Sequence, residues 1–220
     1  MTRDTNIAFT NADPITYPDD DIFGYMRAAT EEYEEKGKMK SRNITVTRIS
    51  PLKNSALVSV ASIHPVSNWS SMARQDGDSV PYVRQEYSAI MKGMFSLDVD
   101  MAGTFSDYNR SGYKNLSETL REKAFREGAS EEDDPFGTGK LVRLPMAVRQ
   151  QRITDTVLAL KNISGGAMQT NNMGDITPKI IVLATTNTGN QPFSEIAISN
   201  GDREEPAVLS VAGLMEILDE

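Results

Sequence analysis

The sequence predicts an α+β fold, organised as a single domain over residues 1–220. Three observations point there: β-branched runs early in the chain, apolar residues at helical spacing in the middle, and strand and helix signals again at the end. At 220 residues and 39% hydrophobic content there is enough apolar surface for one sizeable core.

The first segment, IAFTNADPITYPDDDIFGYMRA, carries Pro14, Pro18 and three consecutive acids, Asp19, Asp20 and Asp21, which suit a loop better than a regular element. AATEEYEEKGKMKSR then reads as a short charged helix or a flap, its acids first and Lys36, Lys38, Lys40 and Arg42 after them. NITVTRIS and ALVSVASI are rich in β-branched residues and alternate in part, so both are expected as strands joined by the turn-like PLKNS. A polar excursion follows from His64 to Arg84, and YSAIMKGMFSLDVDMAGTF carries the chain back. A protruding hairpin or long loop is therefore expected over 64–86.

In NLSETLREKAFRE, Asn115 is a candidate cap, Glu118 follows three residues on, and Leu116, Leu120 and Ala124 keep helical spacing. Residues 128–141, GASEEDDPFGTGKL, are acidic and rich in glycine, hence an exposed loop. PMAVRQQRITDTVLALKNI places Met146, Ile153, Val157 and Leu160 on one helical face, with Pro145 suited to the first turn. After SGGAMQTNN, PKIIVLATT has the composition of a buried strand, TGNQ of a turn, and PFSEIAISN of its hairpin partner. PAVLSVAGLMEILDE closes the chain as a helix.

The composition removes several chemistries. No cysteine is present, so disulfides and thiolate metal sites are excluded and a cytoplasmic address is expected. No run approaches the roughly 20 apolar residues of a membrane span. The one histidine, His64, stands beside Pro65 and reads as a rim residue, which leaves a Ser-His-Asp triad unsupported. There is no phosphate-binding Walker loop and no dinucleotide fingerprint; Gly137 and Gly139 are too few. Carboxylates could still hold Mg²⁺, with Asp19, Asp20, Asp21, Asp76 and Asp78 as the candidates for a metal-dependent nuclease. The weightier expectation is no enzyme, no cofactor and no metal.

The net charge of −8 argues against nucleic-acid binding, yet the charge is polarised along the chain. Lys36, Lys38, Lys40, Arg42, Arg48, Lys53 and Arg74 occur with no acid between Lys36 and Asp76, while acids gather at 19–35, 118–134 and 202–220. SGGA, Ser164 to Ala167, can turn backbone N–H groups toward an anion or simply end a helix.

Six segments, DPITYPDDDIFGYMRA, VTRISPLKNSALVSV, SMARQDGDSVPY, EYSAIMKGMFSLDVDMAGTF, SGYKNL and SGGAMQ, together resemble the CRISPR-associated autoregulator family of the DevR type, the backbone subunit of type I Cascade surveillance complexes. The resemblance runs from about Ile7 to the end of the chain. It implies a modified RRM-like, ferredoxin-like palm with inserted finger loops, one of them at 14–42, and a thumb β-hairpin at 64–86. Copies of such a protein polymerise along one guide RNA, grip its sugar-phosphate backbone and present it for pairing with target DNA, alongside other Cascade subunits. The RNA-binding residues it implies are Trp69, Met72, Arg74, Gln75, Gly165, Gly166 and Gln169, with Met72 or Trp69 as the wedge between bases; Arg42, Arg48 and Lys53 join them from the basic residues near the expected strand edges. Recognition of this kind leaves sequence specificity to base pairing.

Two departures from the family pattern shape the expectation. A first strand and helix normally precede the DPI segment, whereas here Met1 stands almost directly before it, so a palm lacking its first strand–helix unit is expected, truncated or completed by another polypeptide. The family's Gly-Ala loop usually continues with lysine, but here Met168 follows Ala167. The family's older name also raises a DNA-binding autoregulator, which the acidic balance and the lack of a helix-turn-helix pattern oppose.

Overall fold

The chain is mixed α+β with small antiparallel sheets, in a computed structural model that describes residues 10, 12–35, 37–72, 77–108, 114–135, 137, 139–165, 173–199, 201 and 207–219. These residues fall into two compact units. One draws on residues up to Lys53 and from Ser96 to Ile181; the other on Asn54–Phe95 and from Val182 onward.

In the first unit, Pro18 opens a short helix α1 (Pro18–Phe23), as its fixed φ and missing N–H allow. Gly24 ends it at φ +72°, ψ 175°, a conformation open essentially to glycine alone. The segment expected as a charged helix or flap is instead strand β1 (Tyr25–Glu35), antiparallel to β2 (Lys38–Arg48). The register sets Glu31 opposite Arg42 and Glu35 opposite Lys38, so acids and bases that follow one another along the sequence occupy opposed positions on two strands. Tyr25 and Val46 are buried with Ala12 at the base of this hairpin.

The expected finger insertion over 14–42 begins inside this unit, not outside it. Pro14, Ile15, Asp20, Asp21 and Ile22 are buried. The main core joins Ile15, Phe105, Leu116, Ala124, Val142 and Leu144, with Leu120 and Ala129 against it. Phe105 and Val142 face each other in register in a three-stranded sheet ordered β10 (Ser130–Asp133), β11 (Lys140–Arg143), β9 (Thr104–Ser106). Residues 128–141 are thus partly strand, though the acids of β10 are exposed.

Helix α2 (Glu118–Arg126) is capped by Ser117, whose hydroxyl accepts from the Leu120 N–H at 3.4 Å. Asn115, the sequence's candidate cap, instead accepts from the Ser106 N–H at 2.7 Å and donates to the Thr47 carbonyl at 2.8 Å. Helix α3 (Met146–Lys161) starts at Pro145 as expected, but its buried residues are Arg149 and Arg152. Met146, placed on the apolar face by spacing, is exposed.

In the second unit, β4 (Val58–Ser59) pairs with β7 (Met91–Lys92), and β5 (Val66–Met72) with β6 (Val80–Glu86). Strand β3 (Leu52–Asn54) pairs with β8 (Phe95–Leu97). The stretch expected as a buried strand, 178–186, forms no strand, and Ile180, Ile181 and Leu183 are exposed. Its expected hairpin partner contains a 3₁₀ turn (Pro192–Glu195) and then β12 (Ala197–Ile198), which pairs with β13 (Val208–Leu209). The terminal helix α4 (Val211–Asp219) is present and follows β13 directly. Among the described residues of this unit, only Ile196 is buried.

Candidate nucleic-acid interface

The polar excursion folds as the β5–β6 hairpin, with Met72 opposite Val80, Ser70 opposite Tyr82, Asn68 opposite Arg84 and Val66 opposite Glu86. Because side chains alternate across a strand, these residues share one face, while Trp69 with Val83 and Ser67 with Gln85 share the other. Trp69 is 79% exposed and Met72 58%. The two wedge candidates therefore stand on opposite faces and cannot enter the same base step.

On the Met72 face, Tyr82 and Val80 are exposed as well. Arg84 lies on that face, its guanidinium 3.4 Å from Glu86, which also accepts from Asn68 at 3.3 Å. Tyr82 and Arg84 share the Met72 face, a grouping the sequence alone does not display. The signal that finds them is the cross-strand register, which depends on a loop length the sequence leaves open.

Arg48 lies elsewhere, and its position corrects the expected role. It is buried under the Phe105 ring, 4.4 Å from the centroid, and donates to the carbonyls of Asp21 at 3.0 Å, Thr104 at 2.9 Å and Met101 at 2.8 Å. Its Nη2 also forms an ion pair with Asp21. Burial pushes this guanidinium below its ordinary range while Asp21 pulls it back. With its donors committed inside the fold, Arg48 is withheld from phosphate.

Asp21 is the hub of this cluster. Its second oxygen accepts from Arg152 Nη1 at 2.7 Å and from the Gly103 N–H at 2.8 Å. Arg152 continues to the carbonyls of Pro14 and Ile15, both at 2.8 Å, and Arg149, one turn earlier on α3, reaches Ala102 at 2.9 Å. Asp20 accepts from the Thr10 hydroxyl and, at 3.0 Å, from the Asp13 N–H. The carboxylates of Asp20 and Asp21, candidates for a Mg²⁺ site by sequence, are turned into the fold and held by these donors. Asp78 is exposed and Asp76 lies outside the described residues.

The remaining candidates divide in the same way. Lys53 is exposed on β3, and His64 is exposed ahead of β5. Arg42 sits on β2 opposite Glu31. Gly165 takes φ +95°, the left-handed region, just after α3. Arg74, Gln75, Gly166 and Gln169 lie outside the described residues. Compared with models of protein families, with curated proteins and with solved structures, the chain matches none.

Proposed function

We propose that this chain is a non-catalytic, guide-RNA-binding backbone subunit of a type I CRISPR surveillance complex, polymerising along the RNA and holding it for pairing with target DNA. The palm would be RRM-like, and the β5–β6 hairpin would be its thumb. The observation that carries the reading is the hairpin itself. A lone two-stranded hairpin is at best marginally stable in water, so large apolar side chains exposed on both of its faces serve a contact, not a core. Here those side chains are Trp69 and Val83 on one face, and Met72, Val80 and Tyr82 on the other.

The Met72 face combines an apolar wedge on β5 with an aromatic ring and a cation, Tyr82 and Arg84, two residues apart on β6, which suits unstacked bases beside phosphate. The formal charge of −8 is compatible with this because affinity sums over many copies on one strand. The test is to co-express the chain with neighbouring complex subunits and a guide RNA, and to map nuclease-sensitive positions on the RNA that co-purifies. A regular footprint that weakens with Met72→Ala and Tyr82→Ala supports the reading. Recovery of RNA-free protein, or magnesium-dependent cleavage of complementary RNA by this chain, refutes it.

A further inference from the structure

In β5 and β6, VSNWSSM and VPYVRQE, Arg84 is the one cation and Glu86 the one acid, so the two strands carry no net charge. Two residues apart on β6, Arg84 and Glu86 stand on the same face as Met72, Tyr82 and Asn68. The Glu86 carboxylate divides its oxygens between two partners: Oε1 lies 3.4 Å from Arg84 Nη2, and Oε2 accepts from Asn68 Nδ2 at 3.3 Å. Asn68, directly across from Arg84, thus anchors the carboxylate that holds the guanidinium.

The hold is loose. A charge-assisted N–H···O bond runs at about 2.7–2.9 Å, well inside the 3.4 Å found here. The Arg84 and Glu86 side chains are 28% and 50% exposed, and an ion pair open to water in this way shifts an equilibrium by no more than about fivefold. A phosphate beside Arg84 offers the planar guanidinium a bidentate contact and so draws it away from Glu86. Glu86 keeps Asn68 and water, so the exchange leaves no buried charge behind. Strands without net charge do not draw a polyanion from a distance, so Met72 and Tyr82 have to seat a base before a phosphate comes within reach of Arg84.

We infer that Glu86 is a built-in competitor for RNA phosphate: it holds Arg84 while the hairpin is empty and yields it to a phosphate of the bound strand. The ionic contact of the hairpin is then an exchange of one anion for another. The inference rests on the proposed RNA binding and adds the residue that regulates it. Its signature lies in the salt dependence. A phosphate neutralised by a cation releases counterions, but a carboxylate set free at the same moment gathers a cation back, so this contact should depend little on salt.

The experiment is a fluorescence-anisotropy titration of the full chain with a labelled oligouridylate over a range of salt concentrations, on wild type, Glu86→Gln, Arg84→Gln and the double variant. Both side chains reach solvent, and far-UV circular dichroism checks that each variant keeps the wild-type fold. Glu86→Gln preserves the shape of the side chain and an oxygen for Asn68 while removing the charge. It should bind about two- to fivefold tighter than wild type and steepen the plot of log affinity against log salt by about 0.7 per bound copy, the share of one phosphate contact no longer offset. Arg84→Gln should bind more weakly than wild type, and adding Glu86→Gln to it should recover almost nothing, because the carboxylate acts through the guanidinium. Simple repulsion of RNA by a carboxylate would instead give the same gain with and without Arg84. That result, or a Glu86→Gln variant that binds no tighter than wild type, overturns the exchange and leaves RNA binding standing. No binding by wild type or any variant removes the RNA reading and this inference with it.

Discussion

Replacing Asp21 by Asn tests whether the buried ionic cluster organises the first unit. Asp21 is fully buried and its carboxylate takes Arg48, Arg152 and the Gly103 N–H. Removing its charge leaves two buried guanidiniums facing a neutral amide. Hydrogen bonds to charged groups contribute roughly 1.5–3 kcal/mol each, so two of them set a nominal loss of about 3–6 kcal/mol. Breaking a buried pair by removing one partner costs about 3–5 kcal/mol, which sets the expected range. For a chain of this size each kcal/mol moves the unfolding midpoint by roughly 2–4 °C, so a drop of about 6–20 °C follows. Thermal and urea unfolding followed by circular dichroism would measure it, with Asp78→Asn, an exposed acid, as the control expected within about 0.5 kcal/mol of wild type. A loss under about 1 kcal/mol for Asp21→Asn would show that water or rearrangement compensates the guanidiniums, and that the cluster does not hold the fold.

Gly24→Ala should be worse than its small size suggests: the added Cβ would lie 2.4 Å from the Arg48 carbonyl oxygen, in a backbone conformation that costs a non-glycine residue about 1–3 kcal/mol before the clash is counted. Loss of soluble yield or a urea midpoint far below wild type is expected. Tyr25→Phe removes the hydroxyl that donates to the Asn115 carbonyl inside the fold and should cost about 1–3 kcal/mol by chemical denaturation, since it leaves a buried acceptor unpaired. Burial raises the Asp13 carboxyl, but the Lys123 ammonium at 2.7 Å and the Thr16 contacts outweigh it and hold the group below its ordinary 3.8. With the folded value lowered, this stabilisation is present above pH 3.8 and is lost as pH falls through the folded value. Asp13→Asn should therefore flatten the decline in stability measured by urea titration below about pH 4.

The legible parts of the fold are those set by neighbours in sequence. Helices α2 and α3 and the terminal helix were readable from spacing and breakers, because helical contacts lie three and four residues apart. What failed was whatever depends on a distant partner. Arg149 and Arg152 are absent from the apolar face that spacing assigns to α3, and the groups that let them be buried are the carbonyls near residues 99–102, Pro14, Ile15 and Asp21. Arg48 looked like a phosphate ligand for the same reason: nothing near it in sequence announces an acid 27 residues earlier. The acid-then-base order of 31–42 is equally consistent with a solvated helix and with a cross-strand register, and only the β1–β2 pairing decides between them. Residues 178–186 have strand composition, but composition supplies no ladder partner, and none is present among the described residues.

The same contrast separates the two units and bears on function. The first closes a core around Phe105 and Val142 and neutralises a buried carboxylate with two arginines, so its order is explained by its own contacts. Among its described residues the second buries little beyond Ile196 while exposing Trp69, Met72, Tyr82, Met215 and Leu218. Apolar surface of that extent contributes to stability only when something covers it, and a ligand or partner that binds the folded form alone stabilises it by mass action. The hairpin and α4 are therefore where binding and ordering should be coupled. Part of any contact energy there goes into fixing the unit, so under the proposed reading the affinity of one copy for RNA should be modest. Under the proposed reading, tight binding comes from many copies on one strand, each ordered by its RNA segment.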